Sequence, residues 1–148
     1  MKWIAYILWG FCVIAVSMGV LFGVAMYRYV NTTVPNAYAV WCVADIVILH
    51  MEANDGDWPT GWDDLRDDHA TRAGSDDPRD FKELQERVEV DWLADPAALV
   101  TASPDYENPP FNVIRLRDGR REYWGGAEPN QLILDYLRER PEYGGPWP

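Results

Sequence analysis

Lysine is almost missing from this sequence: of its 13 basic residues only Lys2 and Lys82 are lysine, against 24 acidic residues and a net charge of -11. The shortage of positive charge is uneven. Before Asn31 there are two bases and no acid, so the rest of the chain holds 11 bases against 24 acids, a net -13. A domain so charged repels nucleic acid and anionic lipid, and neither is expected as a partner; cationic or neutral surfaces are. Cysteine is scarce too. Cys12 and Cys42 fall in different parts of the chain, a bridge between them is implausible, and both read as small buried apolar residues. Serine is scarce outside the N-terminal run, where Ser75 and Ser103 stand without a nucleophile-elbow context. No glycine-rich phosphate loop occurs. These absences argue against an enzyme, and no cofactor is expected.

Present instead is one long uncharged run, Trp3 to Tyr27, flanked by Lys2 and Arg28. As a helix at ~1.5 Å per residue it measures about 38 Å, enough to cross a hydrocarbon core of about 30 Å with some tilt. Trp3, Tyr6 and Trp9 lie near one end and Tyr27 and Tyr29 near the other, as interfacial aromatics do. The rival reading is a cleaved signal peptide with small residues at Gly23-Val24-Ala25, but its apolar region is longer than the usual ~7–15 residues. Lys2 with the free amino group outweighs Arg28, which places the N-terminus inside and the folded part outside the cytoplasm. The expected location is the cell membrane, single-pass. Asn31-Thr32-Thr33 matches a glycosylation sequon and is given no weight.

After a polar break at "NTTVPN", where Pro35 discourages helix at Val34, Asn36 caps a helix from Ala37 to about Ala53. Val40, Val43, Ala44, Val47, Ile48 and Met51 form its apolar stripe, and Tyr38, Cys42, Asp45, Leu49 and Glu52 a more polar one. With Asp45 near its middle, this segment reads as a core helix and not as a second span. Asn54 and Gly56 end it, Pro59 turns the chain, and Thr60 caps a short helix with Asp63 in the capping-box position. Residues 67–77 have no apolar periodicity and read as loop. Asp77-Pro78 then opens a helix burying Phe81, Leu84 and Val88, "RVEVDW" is a half-buried strand, and Asp95-Pro96 starts a short helix through Val100. "FNVIRLRDGRREYW" reads as a hairpin around Asp118-Gly119, with the buried face undecided, and Pro129-Asn130 opens a last helix with Leu132, Ile133, Tyr136 and Leu137 apolar.

The expected fold is α+β: one N-terminal transmembrane helix, then a small domain whose core helix packs on an antiparallel sheet of about three strands. The expected division is an anchor at 1–30, an extracytoplasmic domain at 31–140 and a loose tail at 141–148.

The segment "EANDGDWPTGWDDL" carries two competing readings. Asp63 and Asp67, with Asp77 beyond, are weak calcium candidates; nothing matches the spacing of a dedicated calcium loop, and a solvated acidic face is the simpler account. His50 and His69 lie on separate elements with no cysteine pair nearby, which disfavours zinc. The favoured reading is a structural corner of Gly56, Trp58, Pro59, Thr60, Trp62 and Leu65, with both tryptophans as buried anchors.

An apolar then amphipathic helix from Trp3 to about Ala53, followed by Asn54, Gly56, Trp58, Pro59, Thr60 and Leu65, resembles the type IV pilin and type II secretion pseudopilin class. That resemblance covers about 65 residues. It implies a long N-terminal helix whose first half spans the membrane and whose second half packs on an antiparallel sheet. "MKWIAYILWGFCVI" has no glycine followed by Phe-Thr-Leu-Ile-Glu, the family's processing site, and lacks its membrane-embedded glutamate. The architecture carries over, and polymerisation does not. Two functions follow. One is a structural or interaction protein with partners in an envelope assembly. The other is a membrane-tethered module that binds a cation, glycan or peptide through its acidic and aromatic surface.

Overall fold

The computed structural model describes residues 2–73, 80–101, 112–120 and 128–139. The chain divides into two compact units, 1–35 and 36–148. The first unit holds α1 (Lys2–Arg28) and a π-helical turn (Tyr29–Thr33). Among the described residues of this unit none is buried.

Helical residues run on into α2 (Val34–Ala53), so the expected break at Pro35 does not occur. The reason lies in the hydrogen bonding. Val34 donates its N–H five residues back to the Tyr29 carbonyl, closing the wider π turn. Pro35 follows as the second residue of α2, within a first turn where a missing N–H costs little. Asn31 satisfies a further carbonyl by donating from Nδ2 to Tyr27 O at 2.8 Å. Asn36 is not the expected cap. It is buried within α2, and its Oδ1 accepts from Arg87 Nη1 at 2.6 Å.

In the second unit α2 is the centre of the core. The apolar stripe is partly as expected: Val43, Ala44, Val47 and Met51 are buried, while Val40 and Ile48 are only partly so. Ala39, Cys42 and Ile46 are buried as well, which means the helix is covered on more than one side. Part of that cover is α3 (Arg66–Ala73), in a stretch expected to be loop. This helix has no apolar stripe to announce it. It carries Asp67 and Asp68 in its first turn and Arg72 in its last, the arrangement the helix dipole favours. It docks through polar contacts: Arg72 donates to Asp45 at 2.7 Å and to the Cys42 sulfur at 3.1 Å, and His50 Nδ1 lies 3.0 Å from Asp68 Oδ2.

Next come α4 (Phe81–Arg87), β1 (Val88–Val90) and α5 (Pro96–Val100), then β2 (Ile114–Leu116) and α6 (Pro129–Glu139). The cap of α4 is Asp80, which accepts from Lys82 N, and Asp95 caps α5 by accepting from Ala97 N. Pro78 lies outside the described residues. The two strands pair antiparallel, Val88 opposite Leu116 and Val90 opposite Ile114. Their buried face is Val88, Val90, Ile114 and Leu116, with Glu89 and Arg115 paired at 3.0 Å on the other. Hydrogen bonding to Arg115 holds the Glu89 carboxyl below its ordinary value. Gly119 takes a left-handed φ of 73° in the expected turn; residues 121–127 lie outside the described residues.

Among the described residues, then, the fold is mostly helical with a sheet of two strands, not about three. The far edge of β2 has another occupant. Asn130, buried on α6, donates from Nδ2 to Ile114 O at 3.0 Å and accepts from Ile114 N at 2.9 Å. One side-chain amide thus takes the place of a third strand there. On α6 Ile133, Leu134 and Leu137 are fully buried, while Leu132 and Tyr136 are only partly so.

Candidate functional site

Two surfaces carry features that folding alone does not require. The first is α1. Its 27 residues span about 40 Å. Between the flanking Lys2 and Arg28 there is no charge, and the large side chains point outward: Trp3 is 82% exposed, Phe22 69% and Tyr27 70%. A soluble monomer seldom exposes more than a few hundred Å² of contiguous apolar surface. By length and composition this is the one helix among the described residues that can cross a membrane.

The second is the corner after α2 and the loop it meets. Asp55 and Gly56 take left-handed φ values of 54° and 94°, and the Gly56 N–H reaches back to Met51 O at 2.8 Å, which terminates the helix. Gly56 is buried in a conformation that a side chain resists. Pro59 and Leu65 are buried behind it. Thr60 donates from both its N–H and its hydroxyl to Asp64 Oδ2, each at 2.7 Å. The acceptor is therefore Asp64 and not Asp63, and residues 62–65 form turns instead of the expected short helix. These two bonds, the hydroxyl's first, hold the Asp64 carboxyl below its ordinary range.

Trp58 and Trp62, expected as buried anchors, are half-buried and pack against the core. Trp58 donates its indole N–H to Asp91 O at 2.9 Å. Trp62 stands edge-on to Phe81 at 5.8 Å and to Trp92 at 5.3 Å. His69 packs its ring 5.1 Å from Phe81, and the Arg66 guanidinium lies 5.6 Å from the centre of the same ring. The corner thus brings half-exposed aromatics beside the loop after β1. Leu93, in that loop, is 93% exposed. Sequence patterning missed it, because "DWLADP" has too short an apolar pattern to tell an outward leucine from an inward one.

Of the calcium candidates, Asp63 is exposed and paired with Arg66 at 2.9 Å, Asp67 is exposed on α3, and Asp77 lies outside the described residues. Among the described residues no three His, Cys, Asp or Glu side chains are placed to hold an ion. Comparisons of the chain with known protein families, curated proteins and solved structures return no match.

Proposed function

We propose that this is a single-pass membrane protein of structural or interaction type, with α1 in the bilayer and its folded domain outside the cytoplasm, in an envelope assembly. The observation that carries it is the uncharged run from Trp3 to Tyr27, helical and with its large apolar side chains turned outward. In a bilayer that surface meets hydrocarbon, and the terminal aromatics meet the two interfaces. The pseudopilin-like plan, an apolar helix leading to a core helix that ends at a Gly-Asp-Trp-Pro-Thr corner, supports an architectural role. The family's processing motif is lacking, so the reading does not include fibre assembly, and it includes no catalysis.

A second reading, a tethered binding module, is favoured by the half-exposed aromatic corner and the exposed Leu93. Both readings place the domain on the outer side. A reporter active only outside the cytoplasm, fused after Pro148, tests this. Activity is expected, and a full-length fusion that is inactive contradicts it.

A further inference from the structure

Leu93 and Tyr38 are the large apolar side chains of the second unit that stand exposed among the described residues, and Leu93, at 93% against 46%, is nearly free of cover. Its exposure is not fraying, because the backbone beneath it is held. The Leu93 N–H donates to Asp91 Oδ1 at 3.0 Å. The Asp91 carbonyl accepts from Trp58 at 2.9 Å and from Ala94 N at 3.3 Å. The turn is thus pinned at its base by a tryptophan from a distant segment, and next to it Trp92 is half-buried against Trp62. An aliphatic side chain held out from a fixed turn, next in the chain to a half-buried tryptophan, offers a docking anchor.

The surroundings specify what docks. Asp91 and Asp95 flank Leu93, Asp57 precedes Trp58, and all three are exposed. The chain from Asn31 onward carries a net -13, which disfavours anionic lipid and a second copy of the same domain. Nearby, Arg66 already makes the contacts such a site would offer, lying over Phe81 while pairing with Asp63.

We propose that Leu93, on the pinned turn that follows Trp92, is the docking point for a basic amphipathic protein segment. An aliphatic or aromatic side chain of the partner packs on Leu93, and its flanking arginines or lysines pair with Asp91, Asp95 and Asp57. The proposal rests on the second reading above, a binding module, and is independent of membrane anchorage. Exposed ion pairs contribute little each, so affinity resides mainly in the apolar contact, and the acids supply salt dependence and selectivity.

The test uses the full chain in nonionic detergent micelles, a fluorescein-labelled peptide of alternating arginine and leucine, and anisotropy with empty micelles as the blank. The expected result is saturable binding. It weakens about tenfold or more with Leu93→Ser, which removes an anchor without touching the core. It weakens less with Asp57→Asn, and it falls as salt rises. Matched peptides of arginine with serine, or glutamate with leucine, bind far more weakly. The proposal is overturned by no saturable binding, by affinity that survives Leu93→Ser, or by equal binding of the arginine–serine peptide, which would mean charge alone. It is equally overturned if the chain sediments as an oligomer that Leu93→Ser dissociates, since a second copy would then be the occupant. Any of these leaves the domain's side of the membrane, and α1 as anchor, to be decided by their own measurements.

Discussion

Trp58 donates its indole N–H to the carbonyl oxygen of Asp91, thirty-three residues further along, at 2.9 Å. This bond ties the corner that ends α2 to the loop that follows β1. The ring packs against the core while remaining partly exposed. Trp58→Phe keeps most of the packing and loses the bond, a cost of about 1 kcal/mol. Trp58→Ala loses both and costs about 2–4 kcal/mol, somewhat below the range for a fully buried aromatic. Urea midpoints of the full chain in detergent, compared at equal slope, give both values. A cost for Trp58→Ala no larger than that for Trp58→Phe would mean the ring contributes no packing.

Asn130 caps both outward backbone groups of Ile114 from α6. Asn130→Leu keeps the branched shape but leaves a buried N–H and C=O unpaired, a loss of about 2–6 kcal/mol at about 1–3 per unsatisfied group. Asn130→Asp retains the acceptor and loses the donor, and should fall between. Amide exchange at Ile114 should quicken in Asn130→Leu relative to Val88, and much less in Asn130→Asp, which keeps the oxygen that the Ile114 N–H donates to. Unchanged exchange would show that another group covers this edge.

Asp64 supplies the pH dependence. The Thr60 hydroxyl, followed by the Thr60 N–H, favours its charged form and lowers its folded pKa from the ordinary 3.8. A carboxyl lowered on folding stabilises the fold above its unfolded value, and loses that contribution as pH falls through the lowered folded value. The corner should therefore stay intact at pH 5 and above, and loosen only in acid below about 4. Carbon-detected NMR titration should place the Asp64 midpoint under 3.8. Thr60→Val should raise it part of the way, because the backbone donor remains.

The acidic segment should show no calcium-specific stabilisation. Asp63 is committed to Arg66, and Asp67 stands exposed on α3. An ion that binds the native state raises the melting temperature in proportion to RT ln(1 + [L]/Kd), whereas screening of a net -13 acts for any divalent salt. Millimolar Ca²⁺ and Mg²⁺ should give the same small, unsaturating shift. A saturating rise with Ca²⁺ alone, abolished by Asp63→Asn or Asp67→Asn, would contradict this.

What could be read from the sequence followed local chemistry. Val43, Val47 and Met51 recur at helical spacing and are buried, Asn54 and Gly56 end the helix, and Asp95-Pro96 opens α5. What could not be read depends on contacts distant in the chain. Helix α3 lacks an apolar stripe because it docks through Arg72 on Asp45 and Asp68 on His50, and those partners lie 27 and 18 residues earlier. Burial of Cys42 was expected, and Arg72 of that helix lies against its sulfur at 3.1 Å; burial of Ile46 was not in the expected stripe. The Pro35 rule failed because a π turn, which has no sequence signature here, re-registers the hydrogen bonds before the proline. A third strand was expected from the hairpin pattern; its return arm at residues 121–124 lies outside the described residues, and at Ile114 the edge of β2 meets a side chain sixteen residues away. In the candidate site, the aromatic corner was legible from Trp58 and Trp62. Leu93 was not, since exposure is a property of the fold and not of a six-residue pattern.

Alkaline carbonate washing of membranes from cells expressing the full chain decides whether α1 is in the bilayer, since it strips peripheral proteins and leaves bilayer-spanning helices in the pellet. The chain should stay in the pellet, and Ile14→Arg together with Val16→Arg, two charges in the middle of the apolar run at about 2.5–3.5 kcal/mol each, should move it to the supernatant. Recovery of the unaltered, full-length chain in the supernatant would contradict the anchor, and a shortened chain there would mean that the apolar helix is a cleaved signal.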